Sequence, residues 1–349
     1  MSFITSPGVV GFSNQQNITA PNNLIPVSYF LGSGAAFVDI DVAFEPKGAG
    51  SILAQIPDNT IVGGNKRANR CVDLQLQRNV NTQVASGAAS GILSGAFNTA
   101  NGAQSVVAGG NSNNVQRQFD VIVGGQGNST NGTGYSFIGS GASNSITGGN
   151  SNVIDGGDSN VETVGSYMSI GGGFRNSLSG SFSAIVGGQN GSDRGVQGAV
   201  IFSNASYSGF QGAADSQSGV YVMRRATANA VQTALSTGQN AAPTATTIPL
   251  LPDNSAFGFV AQVTGKSSTA DDAIFITLTG LIRRGVGIAS TTLTGAVVKV
   301  VNGATAGAAA WTADAAADTV FGGISILVTG AAATNIRWTA VVTTSESVS

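Results

Sequence analysis

Three carboxylates lie close together near the middle of the chain: Asp155, Asp158 and Glu162. Two carboxyl groups held about 5–10 Å apart can hydrolyse a glycosidic bond, one as an acid and the other as a base or nucleophile. The same residues also suit a bland role, with Asp155 and Asp158 at the corners of a repeated coil and Glu162 facing water. From the sequence we favour this second interpretation, so we predict no catalytic residue here.

A calcium site at these acids is the other chemical possibility. The turn Gly156-Gly157-Asp158 resembles one unit of calcium-binding nonapeptide repeats, but its aspartate does not recur from one repeat to the next. The chain has no histidine and a single cysteine, Cys71. The commonest metal ligand is therefore missing, and a disulfide within the chain is excluded. We predict neither a metal nor a cofactor.

Phosphate and nucleic-acid chemistry find little support. Gly265-Lys266-Ser267 has the ending of a phosphate-binding loop, yet Val260 stands where that loop requires glycine, so we predict a strand-ending turn. The net charge is −2, which gives no basic field to attract nucleic acid or an anionic membrane. Since no apolar run approaches the length of a membrane span and no leader pattern opens the chain, we expect neither nucleic-acid binding nor membrane insertion.

Basic pairs and aromatic residues are the remaining candidates for recognition. We single out Arg283 and Arg284 as candidate contacts to a receptor or partner, and Arg224-Arg225 as a similar pair. A solvated loop and an intersubunit salt bridge stay open as alternatives for both pairs. Aromatic side chains that could stack on sugars or pack between copies of the chain are Tyr135, Phe137, Tyr167, Phe174 and Phe182.

These residues belong to, or flank, a repeat in which a β-branched apolar residue is followed by glycine three positions later. The apolar members are Ile92, Val107, Ile122, Ile138, Ile146, Ile154, Ile170 and Ile185, at spacings of 15, 15, 16, 8, 8, 16 and 15 residues. Seven of the eight add asparagine three residues after the glycine. Each half-repeat predicts one short strand and one glycine corner, with successive strands stacked about 4.8 Å apart. We expect asparagine to occupy the corner too, because it tolerates the left-handed backbone conformation.

The repeat region is flanked by segments of other composition, so we predict an all-β chain in which a parallel β-roll, or solenoid, precedes an antiparallel β-sandwich. Strands are expected early in the chain over 38–45 and 51–56, and a short helix over 224–235. The predicted divisions are a β-rich segment (1–60), the roll (61–192), a neck or linker (193–255) and the sandwich (256–349).

Several stretches carry a family resemblance. Residues 105–110 (SVVAGG) and 183–188 (SAIVGG) resemble the roll of trimeric autotransporter adhesin heads and, more closely, that of bacteriophage tail-fibre proteins. Residues 41–58 resemble the segment before the roll in such fibres, and 280–285 (GLIRRG) and 336–340 (IRWTA) resemble the C-terminal domain of phage fibres. The resemblance implies a left-handed roll in a homotrimeric virion fibre that contacts the host surface.

The thin core of such a roll points to the same oligomeric state. A coil of two short strands has room for one isoleucine or valine per strand, which offsets little of the ordering cost of roughly 1–2 kcal/mol per residue. Three rolls side by side would bury more apolar surface. We therefore predict a homotrimer.

These observations lead to an expected function. We predict a non-enzymatic structural protein of the virion, a phage tail fibre or spike made in the host cytoplasm, that attaches to the host surface through several weak sites acting together. The segment 1–60 would dock on other tail or baseplate proteins, and the receptor would be a host-surface glycan or protein. The alternatives are a polysaccharide-cleaving tailspike and a purely structural capsid or collar fibre without receptor binding.

Overall fold

A computed structural model gives the architecture of the chain and describes residues 12–17, 25–30, 44, 46–204 and 214–349. The chain divides into two compact units, residues 1–46 and 47–349. In the first unit, strands β1 (Phe12–Asn17) and β2 (Ile25–Phe30) pair in antiparallel fashion. Of the strand expected over 38–45, only Phe44 lies within the described residues.

The second unit begins with a parallel β-roll whose short strands alternate between two sheets, which confirms the predicted fold class. The first sheet of the roll contains β3 (Ile52–Leu53), β4 (Val72–Asp73), β5 (Gly91–Ile92), β7 (Val106–Val107), β9 (Val121–Ile122), β11 (Phe137–Ile138), β13 (Val153–Ile154), β15 (Ser169–Ile170), β17 (Ala184–Ile185) and β18 (Ala199–Ser203). The second sheet contains β6 (Thr99–Ala100), β8 (Asn114–Val115), β10 (Ser129–Thr130), β12 (Ser145–Ile146), β14 (Val161–Glu162) and β16 (Ser177–Leu178).

From β5 onward one coil of the roll takes 15 or 16 residues, as the pairing of Val107 with Ile122 and of Ile122 with Ile138 shows. The first two coils are longer, since Ile52 pairs with Val72 and Val72 with Gly91. The second residue of each short strand points inward. All eight apolar residues of the repeat are buried, each with 0 or 1% of its surface exposed. Seven of them lie in the first sheet, whereas Ile146 lies in the second. The core therefore lies between the two narrow sheets, and each sheet contributes one inward column of mostly aliphatic side chains.

The glycine of each repeat turns the corner of the coil. Gly110 has a φ of +86°, and a Cβ atom there would lie 2.2 Å from the carbonyl oxygen of Gly125 in the next coil. Gly125 has the same conformation, with a φ of +83°, and meets Gly141 in the same way. Any side chain at these positions would therefore collide with the backbone of the following coil.

The asparagines have a different role from the one expected, because the left-handed conformation falls one residue before them. Ser143, for example, has a φ of +55°, while Asn144 is fully buried. The Asn144 side-chain amide donates to the carbonyl oxygens of Ser140 and Gly157 at 3.1 and 2.9 Å, and its Oδ1 accepts from the backbone N–H of Asn160 at 3.1 Å. The same bonds recur along the column Asn98, Asn113, Asn128, Asn144, Asn160 and Asn176. This buried amide ladder satisfies the polar backbone at every corner.

The first sheet of the roll continues without interruption into the C-terminal part, because β18 pairs in parallel with β17 and in antiparallel fashion with β19. The strands that follow are β19 (Ser216–Thr227), β20 (Thr233–Ala234), β21 (Ser255–Ser267), β22 (Ala273–Arg284), β23 (Thr292–Leu293), β24 (Val298–Ala304), β25 (Thr312–Asp318), β26 (Gly323–Thr329) and β27 (Ile336–Val348), with 3-10 turns at Ile288–Ser290 and Ala306–Ala308. The order β20-β26-β25 forms a separate small sheet.

The two C-terminal sheets pack face to face as a sandwich. Trp311 and Trp338 meet edge to face between them, with ring centroids 5.9 Å apart. The helix expected over 224–235 is wrong, because β19 extends to Thr227 and alternates buried and exposed side chains against β27. In the described part of the chain, no helix combines the length and the apolar character that crossing a membrane requires.

Candidate functional site

The sequence led us to expect Glu162 to face water, but the structure buries it. It occupies the inward position of β14, between Ile146 and Leu178 of the neighbouring strands, and is fully buried. Among the described residues, neither of its carboxylate oxygens finds a hydrogen-bond partner. Burial raises the pKa of Glu162 from 4.5 to about 8, and the charge of Asp193 adds to the rise. A group sealed in the core cannot reach a substrate, so Glu162 is excluded as a catalytic acid.

The three other buried acids of the roll are structural, because each accepts hydrogen bonds. Asp73 accepts from Arg67 Nε at 2.7 Å and from Arg78 Nη2 at 3.3 Å, and this ion cluster fills the core of the first coils. Asp120 accepts from the backbone N–H of Ser136 at 2.8 Å. Asp193 accepts from the backbone N–H groups of Gly180 and Gly195 at 2.7 and 3.0 Å. Burial raises the pKa of both Asp120 and Asp193.

Asp155 and Asp158 are exposed, in contrast to Glu162. Both follow β13 within a single corner of the roll, and Asp158 accepts a hydrogen bond from the Ser159 hydroxyl at 2.5 Å. Two solvent-facing carboxylates three residues apart are the residue types that glycosidic hydrolysis needs. Within the described residues, no group of three or more potential metal ligands comes together.

A corner of the roll that we call the aromatic corner carries large rings on successive coils. Phe119 and Tyr135 stack with ring centroids 4.8 Å apart and planes 22° apart. Tyr167 and Phe182 stack with centroids 5.3 Å apart and planes 5° apart. Tyr135, Tyr167 and Phe182 remain 55–59% exposed. The aromatic corner therefore exposes apolar rings to solvent along the axis of the roll.

The backbone at this corner makes the choice of residue unusual. Tyr135 and Tyr167 have φ values of 61° and 59°, the left-handed region that bulky residues rarely adopt. Glycine or asparagine would fit there with less strain. The other corner of the coil has the same conformation, for example at Phe97 with a φ of 61°, so the exposed, stacked rings are what make this corner a candidate for recognition.

The aromatic corner is interrupted once, at Ser151. The backbone N–H of Ser151 bonds to Gly134 and that of Tyr167 to Asn150, which places Tyr135, Ser151 and Tyr167 on three consecutive coils. The backbones of the two tyrosines are therefore separated by two coil spacings, about 10 Å. Because single-coil neighbours on this corner stack at 4.8 and 5.3 Å, this space admits one further ring between the tyrosines. We call it the Ser151 gap.

The Ser151 gap and the two exposed carboxylates lie on the same coil. Ser151, the strand β13 and Asp155 follow each other directly in the chain. At about 3.3 Å per residue, Asp155 lies roughly 13 Å along the coil from Ser151. A linear polymer with one unit in the gap would thus reach Asp155 and Asp158 with a unit only a few positions further along.

The predicted arginine contacts have different surroundings. Arg284 forms an ion pair with Asp253 at 2.6 Å and donates to the carbonyl oxygen of Leu251 at 2.5 Å, which is a structural role. Arg283 is exposed on β22. A role for either residue in receptor contact stays a prediction.

The aromatic corner was not predicted from the sequence, although the spacing of its rings carries the signal. Its four rings are separated by 16, 32 and 15 residues, which correspond to one, two and one coils. They are Phe119, Tyr135, Tyr167 and Phe182. The two other aromatics considered, Phe137 and Phe174, lie outside this corner: Phe137 is in β11, and Phe174 lies under the Arg175 guanidinium at 4.8 Å.

Two solved tailspike proteins are similar to this chain. The tailspike protein of Acinetobacter baumannii phage AM24 is 9% identical, with a TM-score of 0.25 over 85% of this chain and 58% of that one. A tailspike protein of Acinetobacter baumannii bacteriophage Fri1, named as a capsular polysaccharide depolymerase, is 7% identical, with a TM-score of 0.20 over 84% of this chain and 66% of that one. No family model and no curated protein matches the chain.

These comparisons correct one expectation. We expected a protein without enzymatic activity, but one neighbour bears the name of an enzyme, a depolymerase, and the expectation does not stand against this finding. Both neighbours are phage tail proteins, the class that the resemblance implied. The likeness to autotransporter adhesins stays a prediction. The chain spans 58% and 66% of the two tailspikes, so what those whole proteins do is carried to it only as a proposal.

Proposed function

We propose that this chain is part of a phage tailspike that binds and cleaves a polysaccharide of the host surface. One observation carries the proposal: the coil that begins at Ser151 combines a ring-sized gap between two exposed tyrosines with two exposed carboxylates. Stiff backbone holds both features, because every coil is bonded to its neighbours by the strands and by the buried amide ladder.

Binding would use the faces of Tyr135 and Tyr167. The apolar face of a pyranose ring packs against an aromatic ring, and a ring in the Ser151 gap would be covered on both sides. Neighbouring sugar units would then follow the exposed side of β13 toward Asp155. The gap fixes the register of the polysaccharide on the coil.

Cleavage would use Asp155 and Asp158. One carboxyl group would protonate the leaving glycosidic oxygen, and the other would activate water or attack the anomeric carbon. The proton that the acid gives up is recovered from the water that completes hydrolysis.

The proposal places the chain in the virion as a homotrimer, with the N-terminal segment docked on other tail or baseplate proteins. Its support is the outer face of the C-terminal sheet, where aliphatic and aromatic side chains stay open to solvent in one copy. Val222 is 52% exposed, Leu281 41% and Phe275 37%. Contact between copies would remove this surface from water.

Light scattering from the purified full chain tests the oligomeric state. We expect a mass of three times the 34.6 kDa of one chain, because the thin core and the exposed sheet face both favour association. A stable monomer at micromolar concentration would refute the trimer while leaving the cleavage proposal to its own test.

Incubation of the full chain with purified capsular polysaccharide of the host tests the activity. We expect new reducing ends and shorter chains on gel filtration. Asp155→Asn and Asp158→Asn should each lower the rate about a hundredfold or more without loss of binding. Tyr135→Ala and Tyr167→Ala should each raise KM about tenfold.

Matched variants separate these effects from general damage. Phe97→Ala alters an aromatic residue with the same backbone conformation, a φ of 61°, outside the aromatic corner. Asp271→Asn removes an exposed carboxylate of the sandwich. Both should act like the wild type. Unchanged polysaccharide with the wild type, or full activity in the Asp155 and Asp158 variants, would overturn the assigned site.

A further inference from the structure

The sandwich contains a cleft of about 790 Å³ at the end of β19 that the proposed function does not use. The pairing of β18 with β19 stops at Tyr221. Beyond that point a loop borders the strand, because Arg224 exchanges backbone hydrogen bonds with Ser236 and the Ala226 N–H donates to Asn240 Oδ1 at 2.7 Å. The cleft thus lies between this loop and β27, and its volume falls in the range of small-molecule sites.

Three arginines line this cleft: Arg224, Arg225 and Arg337. The antiparallel register brings two of them together on the exposed face of the strand pair, since Arg224 faces Thr339 and Ala226 faces Arg337. Arg224 and Arg337 are therefore diagonal neighbours, about 7–8 Å apart at their backbones. Arg225 pairs with Trp338 and so belongs to the opposite face. Among the described residues that line the cleft, none is acidic.

The arginines keep most of their hydrogen-bonding capacity. Arg224 donates through Nε to the carbonyl oxygen of Gly238 at 3.2 Å, which leaves its two terminal nitrogens. Arg225 Nη1 is buried and has no hydrogen-bond partner among the described residues. A buried donor of this kind is normally satisfied in proteins. A guanidinium donates only, so the missing partner is an acceptor, and an anionic acceptor gives the strongest bond.

We propose that this cleft binds the carboxylate of an acidic saccharide unit. The guanidiniums of Arg224 and Arg337 allow paired hydrogen bonds to one planar carboxylate, and the Asn240 amide, whose oxygen is already used, offers N–H donors to sugar hydroxyls. The choice of a saccharide as the carrier of the carboxylate rests on the proposed function. The cleft would therefore select polysaccharides that contain uronic acids.

Isothermal titration of the full chain with two acidic probes tests this proposal. The probes are a hyaluronan tetrasaccharide and a tetramer of galacturonic acid, and maltotetraose is the neutral control. We expect at least one acidic probe to bind, with an affinity that falls as salt rises, and no binding of maltotetraose. Arg224→Gln and Arg337→Gln should each weaken binding about ten- to a hundredfold. Arg70→Gln, which removes an exposed arginine of the roll, should leave it unchanged.

The outcomes are distinct. Binding that survives both cleft variants would overturn the proposal, as would equal binding of maltotetraose or no binding of either acidic probe. If a short acidic peptide binds the cleft as tightly as the acidic saccharides do, the ligand is a protein partner, and the assignment of a saccharide would be overturned. The gel-filtration assay tests the proposed function separately from the cleft. If the wild type shortens capsular polysaccharide while the cleft variants still bind the acidic probes normally, only the inference about the cleft is contradicted.

Discussion

Ile122→Ala is expected to lower the free energy of unfolding by about 2–5 kcal/mol. Ile122 is fully buried and stacks between Val107 and Ile138 in consecutive coils. The core is only two side-chain columns wide, so neighbouring residues cannot collapse into the cavity without breaking the strand register. Urea denaturation of the full chain, followed by circular dichroism, measures the change.

Val123→Ala is the matched control, because Val123 directly follows Ile122 in the chain but is 47% exposed. Its effect should stay within about 0.5 kcal/mol. Similar small effects of the two substitutions would mean that Ile122 is not in the core, and the inward column would be wrong.

The stability of the protein is expected to fall as pH rises from about 5 to 8, largely because of Glu162. The folded chain binds this proton up to a pKa of about 8, whereas the unfolded chain releases it near 4.5. Between these values the folded state holds more protons, so stability falls with pH, by about 1.4 kcal/mol per unit for this one group. Asp120 and Asp193, whose pKa values are also raised, act in the same direction.

Glu162→Leu isolates the contribution of this group. The leucine would continue the aliphatic stack between Ile146 and Leu178 and remove two unpartnered oxygens. We expect a gain of about 2 kcal/mol at neutral pH and a flatter dependence on pH. Urea denaturation at pH 5, 6, 7 and 8 measures both. A wild type whose stability does not change over this range, or a variant with the same slope, would place Glu162 in water.

The roll could be predicted from the sequence because its period fixes its geometry. An inward residue recurs every 15 or 16 positions, and glycine is required where a Cβ atom would meet the next coil, as at Gly110. Glu162 was placed wrongly because its charge suggests water, yet its position in the coil is that of Ile146 and Leu178. The period outweighs the polarity of one residue.

Features that depend on pairing between distant segments could not be predicted. The alanine-rich stretch after Arg224 favours a helix by local propensity, but pairing with β27 imposes a strand. Arg337 joins the arginine cleft only through this register, across more than a hundred residues. To predict the Ser151 gap, both the coil period and the positions of the left-handed residues had to be known. Those positions were misplaced, because we expected the asparagines to be left-handed, whereas the residues before them are.

The most direct test of the whole account is a crystal structure of the full chain with an oligosaccharide prepared from the host capsule. We predict one sugar ring between Tyr135 and Tyr167, above Ser151, with a glycosidic bond near Asp155 and Asp158. A gap closed by contact between the two tyrosines, or a saccharide bound to another face of the roll while the gap stays empty, would contradict it.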